Sequence, residues 1–287
     1  MNHKPFALMA TLALAASAGV AALAVPAAAD EPDGAAYVAL GDSFAAGTGV
    51  PPYVDDTCRH STTSAYPTLL AKWPAFRDQS DVTCSGATTA HIAAQLVAAE
   101  IGGNTRTVTV TVGGNDVGWS ATLAGCVAYP AGCSAGFAAL AAKIPAVKDS
   151  VAGVVRAIAE DAPNAEIYVT GYPYLFGNFT RTCTIGASPT QTPTPIVVDK
   201  TLATTVNAAT LGLNAAIAGG VVKAEDRDAT YVNVAALSLT HGLCGSGADW
   251  INGASFGEGS ILPQSLHPNA AGEQAYANRI RLASWLN

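Results

Sequence analysis

The run Thr107–Val112 is β-branched at every position. Such side chains are stiff about χ1 and fit a pleated strand better than a helix. The run is the clearest strand in the chain. Two glycines, Gly113 and Gly114, stop it. The same grammar recurs. Tyr37–Leu40 ends at Gly41, Glu166–Thr170 ends at Gly171, and Thr230–Val234 forms another short apolar run. Between these runs the pattern turns helical: Ser64–Trp73 up to Pro74, Ala87–Glu100 up to Gly102, Phe137–Glu160 with a break near Pro145, Asp199–Ala224 with a weak point at Gly212, and Asn269–Leu286. The Thr/Pro-rich stretch Thr184–Pro195 reads as a surface loop. Strands alternating with helices imply crossover units, a mostly parallel sheet and a three-layer α/β/α sandwich. No internal repeat or linker divides this part of the chain, so a single domain over residues 30–287 is expected.

Composition excludes other classes. Half of the residues are hydrophobic (50%) and only 12% are charged, the reverse of a disordered chain. Fourteen basic residues against 21 acidic ones give a net charge of −7 without a basic cluster, which argues against nucleic acid as a partner.

The first 29 residues read as an export signal. His3 and Lys4 precede an apolar, Ala-rich stretch from Phe6 that ends in Ala27-Ala28-Ala29 before the acidic Asp30-Glu31. Small residues at the last positions are what a signal peptidase accepts, so cleavage is expected after Ala29. Pro26 and the missing basic flank argue against a retained membrane anchor. An exported chain meets an oxidising compartment, where its six cysteines (Cys58, Cys84, Cys126, Cys133, Cys183 and Cys244) are expected in disulfides. Spacing alone favours Cys126 with Cys133 and leaves the other pairings open. Metal-type spacing of Cys and His is absent, so no metal is expected.

In parallel α/β sheets the site lies beyond the carboxyl ends of the strands. There the chain places Gly41-Asp42-Ser43-Phe44, Gly113-Gly114-Asn115-Asp116 and, before the last helix, Ser265-Leu266-His267-Pro268. A serine with a histidine base, and donors for a developing oxyanion, suit nucleophilic acyl transfer. The bland readings are a helix cap for Ser43, a turn for Asn115 and a loop for His267.

These blocks resemble the SGNH (GDSL) hydrolases. Gly41-Asp42-Ser43-Phe44 is similar to the family's first block, Gly86 stands where its second-block glycine falls, Gly113-Gly114-Asn115-Asp116 matches the third and His267 the last. The likeness spans residues 30–287 and looks nearest to secreted actinobacterial lipases and esterases. It implies Ser43 as nucleophile at a strand-to-helix turn and His267 as general base. It implies an oxyanion hole from the Ser43 and Gly86 backbone N–H groups and the Asn115 amide. It further implies sequential disulfides, Cys58–Cys84, Cys126–Cys133 and Cys183–Cys244, and no cofactor. One position departs from the pattern: where the family usually has Asp, three residues before the histidine, this chain has Gln264. A Ser43–His267 dyad is therefore expected, with the main-chain carbonyl of Gln264, or in second place Ser265, holding the imidazole. A remote acid such as Asp249 is the alternative.

The expected protein is a secreted, monomeric carboxylic-ester hydrolase acting on small-molecule or lipid esters. Phospholipase or lysophospholipase action, carbohydrate O-deacetylation and a catalytically silent binding role are the alternatives. Tyr172–Phe176 is read as either a core turn or an apolar wall for an acyl chain, and Trp119 as either cleft rim or core. His60, His91 and His241 are read as outside the chemistry.

Overall fold

In the computed structural model, Met1 and residues 34–128, 132–187, 194–257 and 260–286 are described. The expected leader, apart from Met1, lies outside them. In chain order the elements are β1 (Tyr37–Gly41), α1 (Tyr66–Leu70), β2 (Gln79–Asp81), α2 (Ile92–Ala98), β3 (Thr107–Thr111), α3 (Trp119–Ala128), α4 (Cys133–Ala141), α5 (Ile144–Asp161) and β4 (Glu166–Thr170). There follow β5 (Thr182–Ala187), β6 (Pro195–Asp199), α6 (Lys200–Ala224), β7 (Ala229–Val232), β8 (Phe256–Gly257), β9 (Ser260–Ile261) and α7 (Ala270–Ala283).

Five strands form one parallel sheet in the order β2-β1-β3-β4-β7. The order steps outward from β1 in both directions, which puts the ends of β1 and β3 side by side at its middle. The β3 threonines explain how a polar face survives in the core. Thr109 pairs with the Tyr37 hydroxyl at 2.9 Å, and Thr111 pairs with Tyr66 at 2.9 Å and with Thr170 at 2.6 Å. The buried hydroxyls of Thr109 and Thr111 thus keep partners, as burial requires. Tyr66 of α1 stacks on Tyr276 of α7, with ring centres 5.5 Å apart, and these two helices cover that face. The valines of β3 point the other way. On that side α5 packs against both α2 and α6.

The structure shows the expected mostly parallel, helix-covered architecture and changes some of its boundaries. The first helix shrinks to Tyr66–Leu70, and the second begins only after a tight turn at Thr89–His91 that Thr88 caps. Helix α6 runs straight through Gly212; Asp199 starts it, its carboxylate accepting from Leu202 N at 2.7 Å. The largest correction concerns Thr184–Pro195, expected as a loop. Its described ends belong to an antiparallel hairpin, β5 with β6. Cys183 pairs with Val198, Thr184 with Val197 and Gly186 with Ile196, and the β-branched Ile196, Val197 and Val198 outweigh one proline at a strand start. Residues 188–193 lie outside the described residues. Strand β2 and the small β8–β9 hairpin carry no apolar pattern that the sequence reading could have used.

Candidate active site

Strand β1 delivers the serine. Asp42 N–H, one residue past β1, still donates to Thr111 O at 2.9 Å, and Ser43 comes next. The chain then folds back on itself. Phe44 N–H donates to Asp42 Oδ1 at 3.0 Å and Thr48 N–H to Ser43 O at 3.0 Å. No helix follows Ser43, contrary to expectation. Gly47, at φ +69°, and Gly49 make the segment a chain of turns. At Gly49 a side chain is impossible, because a Cβ would stand 1.8 Å from the Pro268 carbonyl oxygen. That close approach brings the serine turn against the histidine loop.

His267 reaches Ser43 there. Nε2 lies 2.8 Å from Ser43 Oγ, and Nδ1 lies 3.0 Å from the Ser265 carbonyl oxygen. The orienting carbonyl is thus that of Ser265, not Gln264. The Gln264 oxygen is already occupied, accepting from Asn252 Nδ2 at 3.1 Å and from His267 N–H at 3.3 Å. Leu266, in the left-handed region at φ +60°, makes the bend. Asp249 does not hold the ring. A carbonyl can only accept, so the Nδ1 position carries the proton and Nε2 offers its lone pair to the serine hydroxyl. Burial pushes the imidazole pKa down to about 4, opposed by the Ser265 and Pro263 carbonyls and assisted by the Arg59 charge.

Gly86 and Asn115 line the same cleft, of about 340 Å³, as Ser43 and His267. Gly86 sits at φ +87°, and a Cβ there would meet nothing within 4 Å. Backbone conformation rather than crowding therefore calls for glycine. Asn115 Nδ2 donates to Ala87 O at 2.9 Å, and the Asp116 carboxylate accepts from Thr89 N–H at 3.1 Å. Two neighbouring side chains thus fasten the Gly86 turn to the end of β3.

The sequence reading missed several supports. Tyr172 donates from its hydroxyl to Asp42 Oδ2 at 2.6 Å and accepts from Gly114 N–H at 2.9 Å. Burial raises the Asp42 carboxyl to about 7, against the pull of its bonds to Tyr172 and Phe44. Gln95 spans Gly41, accepting from its N–H at 2.8 Å and donating to its carbonyl at 2.9 Å. Asn252 ties the histidine loop to the serine turn through Gly49 O at 2.8 Å. Only Tyr172, in the aromatic run after β4, left a visible signal.

An apolar chamber of about 420 Å³ adjoins the cleft and shares Leu123 and Leu266 with it. Phe176, Ile185, Val198 and Leu202 form much of its wall. The aromatic run Tyr172–Phe176 thus splits its duties: Phe176 lines the chamber and Tyr172 braces the serine turn. Trp119 is both nearly buried and part of the cleft wall. His60 faces Asp55, His91 faces Thr88, and His241 stacks on Trp250; none of them lines the cleft. The cysteines pair as Cys58–Cys84, Cys126–Cys133 and Cys183–Cys244.

The profile of the GDSL-like lipase/acylhydrolase family matches residues 39–275. The chain belongs to this family. Membership places it among the carboxylic-ester hydrolases. As a GDSL-family chain it is 32% identical to Lipase 1 of Streptomyces coelicolor, over 92% of each chain. It is also 32% identical to a lipase of Streptomyces rimosus, over 93% of this chain and 91% of that one. Among solved structures it resembles phospholipase A1 from Streptomyces albidoflavus, with TM-score 0.73 and 27% identity over 87% of this chain and 99% of the other. It resembles the extracellular lipase of Streptomyces rimosus with TM-score 0.69 and 30% identity, over 86% and 98% of the two chains.

Proposed function

We propose that this GDSL-family protein is a secreted hydrolase of fatty-acyl esters working through a covalent acyl-serine. The observation that carries the proposal is the 2.8 Å contact between Ser43 Oγ and His267 Nε2, with the other ring nitrogen held by Ser265 O. Ser43 Oγ attacks the ester carbonyl while its proton passes to Nε2. Negative charge gathers on the former carbonyl oxygen. The backbone N–H groups of Ser43 and Gly86 and the free N–H of the Asn115 amide receive it. The C–O bond to the alcohol then breaks, and Nε2–H protonates the leaving oxygen. A water gives its proton to Nε2 and attacks the acyl-serine, and the acid leaves as Ser43 recovers its proton. A neutral carbonyl orients the ring as a carboxylate would but gives the imidazolium less support.

The chamber beside the cleft supports an acyl chain as the apolar part of the substrate, since ligand pockets are mostly apolar with a few polar groups. The leader over residues 1–29 and three disulfides support export. The protein acts as a monomer with no cofactor. The test is hydrolysis of p-nitrophenyl esters from acetate to palmitate by wild type, Ser43→Ala and His267→Ala. Wild type should be active, and each variant should fall by several orders of magnitude. A wild type inert on every ester would replace this reading with a silent binding scaffold.

A further inference from the structure

We propose that Arg59 makes the cleft selective for acyl esters whose alcohol portion carries a phosphate, a glycerophospholipid in chemical class. This rests on the ester-hydrolase reading above. Among the described residues lining the cleft, Arg59 alone carries a fixed charge. Among the described residues no carboxylate stands within 4.0 Å of its guanidinium; the recorded contact is Ser85 Oγ at 3.5 Å. The protein is acidic, with 21 carboxylates against 14 cations, so an unpaired arginine in its half-buried cleft is not a product of general surface charge. A guanidinium that reaches the cleft without a carboxylate partner is free to bind an anionic group of a ligand.

The backbone fixes where this side chain leaves the main chain. Arg59 is in the left-handed region at φ +55°, which a non-glycine residue adopts only when its surroundings impose it. They do so from both sides. Cys58 is joined to Cys84, and its carbonyl accepts from Ser85 N–H at 3.0 Å. His60 is tied to Asp55 at 3.2 Å and faces Asp81 at 3.8 Å. The disulfide thus couples Arg59 to the Ser85–Gly86 turn, on the wall where the oxyanion donor sits.

The arrangement fits one molecule with two unlike ends. Arg59 lines the cleft but not the apolar chamber, so an acyl chain in the chamber leaves the alcohol portion for the cleft and Arg59. A guanidinium presents a planar fork that matches two oxygens of a phosphate. A neutral diacylglycerol has nothing to offer it.

The experiment compares dihexanoyl phosphatidylglycerol with dihexanoylglycerol, both kept monomeric, for wild type, R59Q and R59K, with p-nitrophenyl hexanoate alongside. A charge-assisted contact of this kind predicts that R59Q loses about tenfold to a hundredfold more kcat/KM on the phospholipid than on the diacylglycerol. R59K should recover part of that difference, because it restores the charge without the fork. Equal losses of R59Q on both lipids overturn the proposal, as does a wild type that cleaves the diacylglycerol and leaves the phospholipid intact. Should R59Q fail to fold, R59K decides alone: wild-type discrimination with an unchanged ratio in R59K overturns the role of the fork. A wild type inactive even on p-nitrophenyl hexanoate sinks the ester-hydrolase reading instead, and is thereby distinguishable.

Discussion

The Tyr172 hydroxyl joins Asp42, the neighbour of Ser43, to the Gly114 N–H beside Asn115, at 2.6 and 2.9 Å. One phenol therefore sets the spacing between the proposed nucleophile and the proposed side-chain oxyanion donor. Its ring also meets Phe44 edge-on at 5.0 Å, and Phe44 lies 5.0 Å from the His267 ring. Tyr172→Phe keeps the ring and leaves a buried carboxyl and a buried N–H without their partner. The loss of stability should be about 1–3 kcal/mol, read from urea unfolding. Because both loops carry groups of the proposed transition-state site, kcat should fall about tenfold or more with KM little changed. A stability loss with unchanged kcat would reduce Tyr172 to a structural brace.

The pKa of the His267 imidazole is pushed down to about 4 by burial, and with this ring as the proposed base it should set the acid side of the activity profile. Only the neutral ring accepts the serine proton. Activity in kcat/KM should therefore persist well below the ordinary histidine range near 6.5 and vanish as pH falls through about 4. Stability changes in the same window. The unfolded imidazole takes up a proton below 6.5 and the folded one only near 4, so this group removes stability as pH falls between those values. A pH–rate profile with its acid limb at 6.5 would contradict the burial of the ring.

Much of this was legible in the sequence, and the reasons differ by residue. The β3 run, the glycine stops and the serine and histidine blocks are local signals, so the parallel sheet and the residues of the proposed dyad could be named. The choice of Ser265 over Gln264 was not local. It depends on Asn252, far upstream in the loop, claiming the Gln264 carbonyl, and on Leu266 adopting a left-handed bend. The hairpin of β5 and β6 was hidden because threonine and proline suggest a loop until their partner strand is known. Gln95 and Tyr172 act across 54 and 130 residues of chain, and no spacing rule reaches that far.

Glu273 lies fully buried in α7, where Oε2 accepts from Tyr66 N–H at 2.9 Å and Oε1 has no hydrogen-bond partner among the described residues. Burial holds its carboxyl pKa well above the ordinary value, with the bond to Tyr66 pulling it down. A raised carboxyl means that the folded state keeps a proton the unfolded chain releases. Its contribution is therefore intact at acid pH and is lost as pH rises above the ordinary carboxylate range. Glu273→Gln keeps an acceptor for Tyr66 and has no proton to lose. The variant should gain on wild type as pH rises from 5 to 9, measured as the midpoint of urea unfolding. A gap that stays constant across that range would show that Glu273 does not change its proton uptake on folding.

With the acyl chain proposed to lie in the chamber, chain length is the property most open to redesign. Leu202 is half-buried near the start of α6 and contributes to the wall without touching the cleft that holds Ser43. Leu202→Trp puts a larger ring into space that is otherwise open to an acyl chain. Ground-state and transition-state binding of a long chain should fall together, so kcat/KM for p-nitrophenyl palmitate should drop about tenfold or more while the acetate changes little. A half-buried position tolerates the added volume better than the packed core, where overpacking destabilises by about 1–3 kcal/mol. The ratio of palmitate to acetate activity is the readout, because loss of folded protein lowers both rates alike and leaves the ratio untouched. An unchanged ratio in a folded variant would place the acyl chain elsewhere than in this chamber.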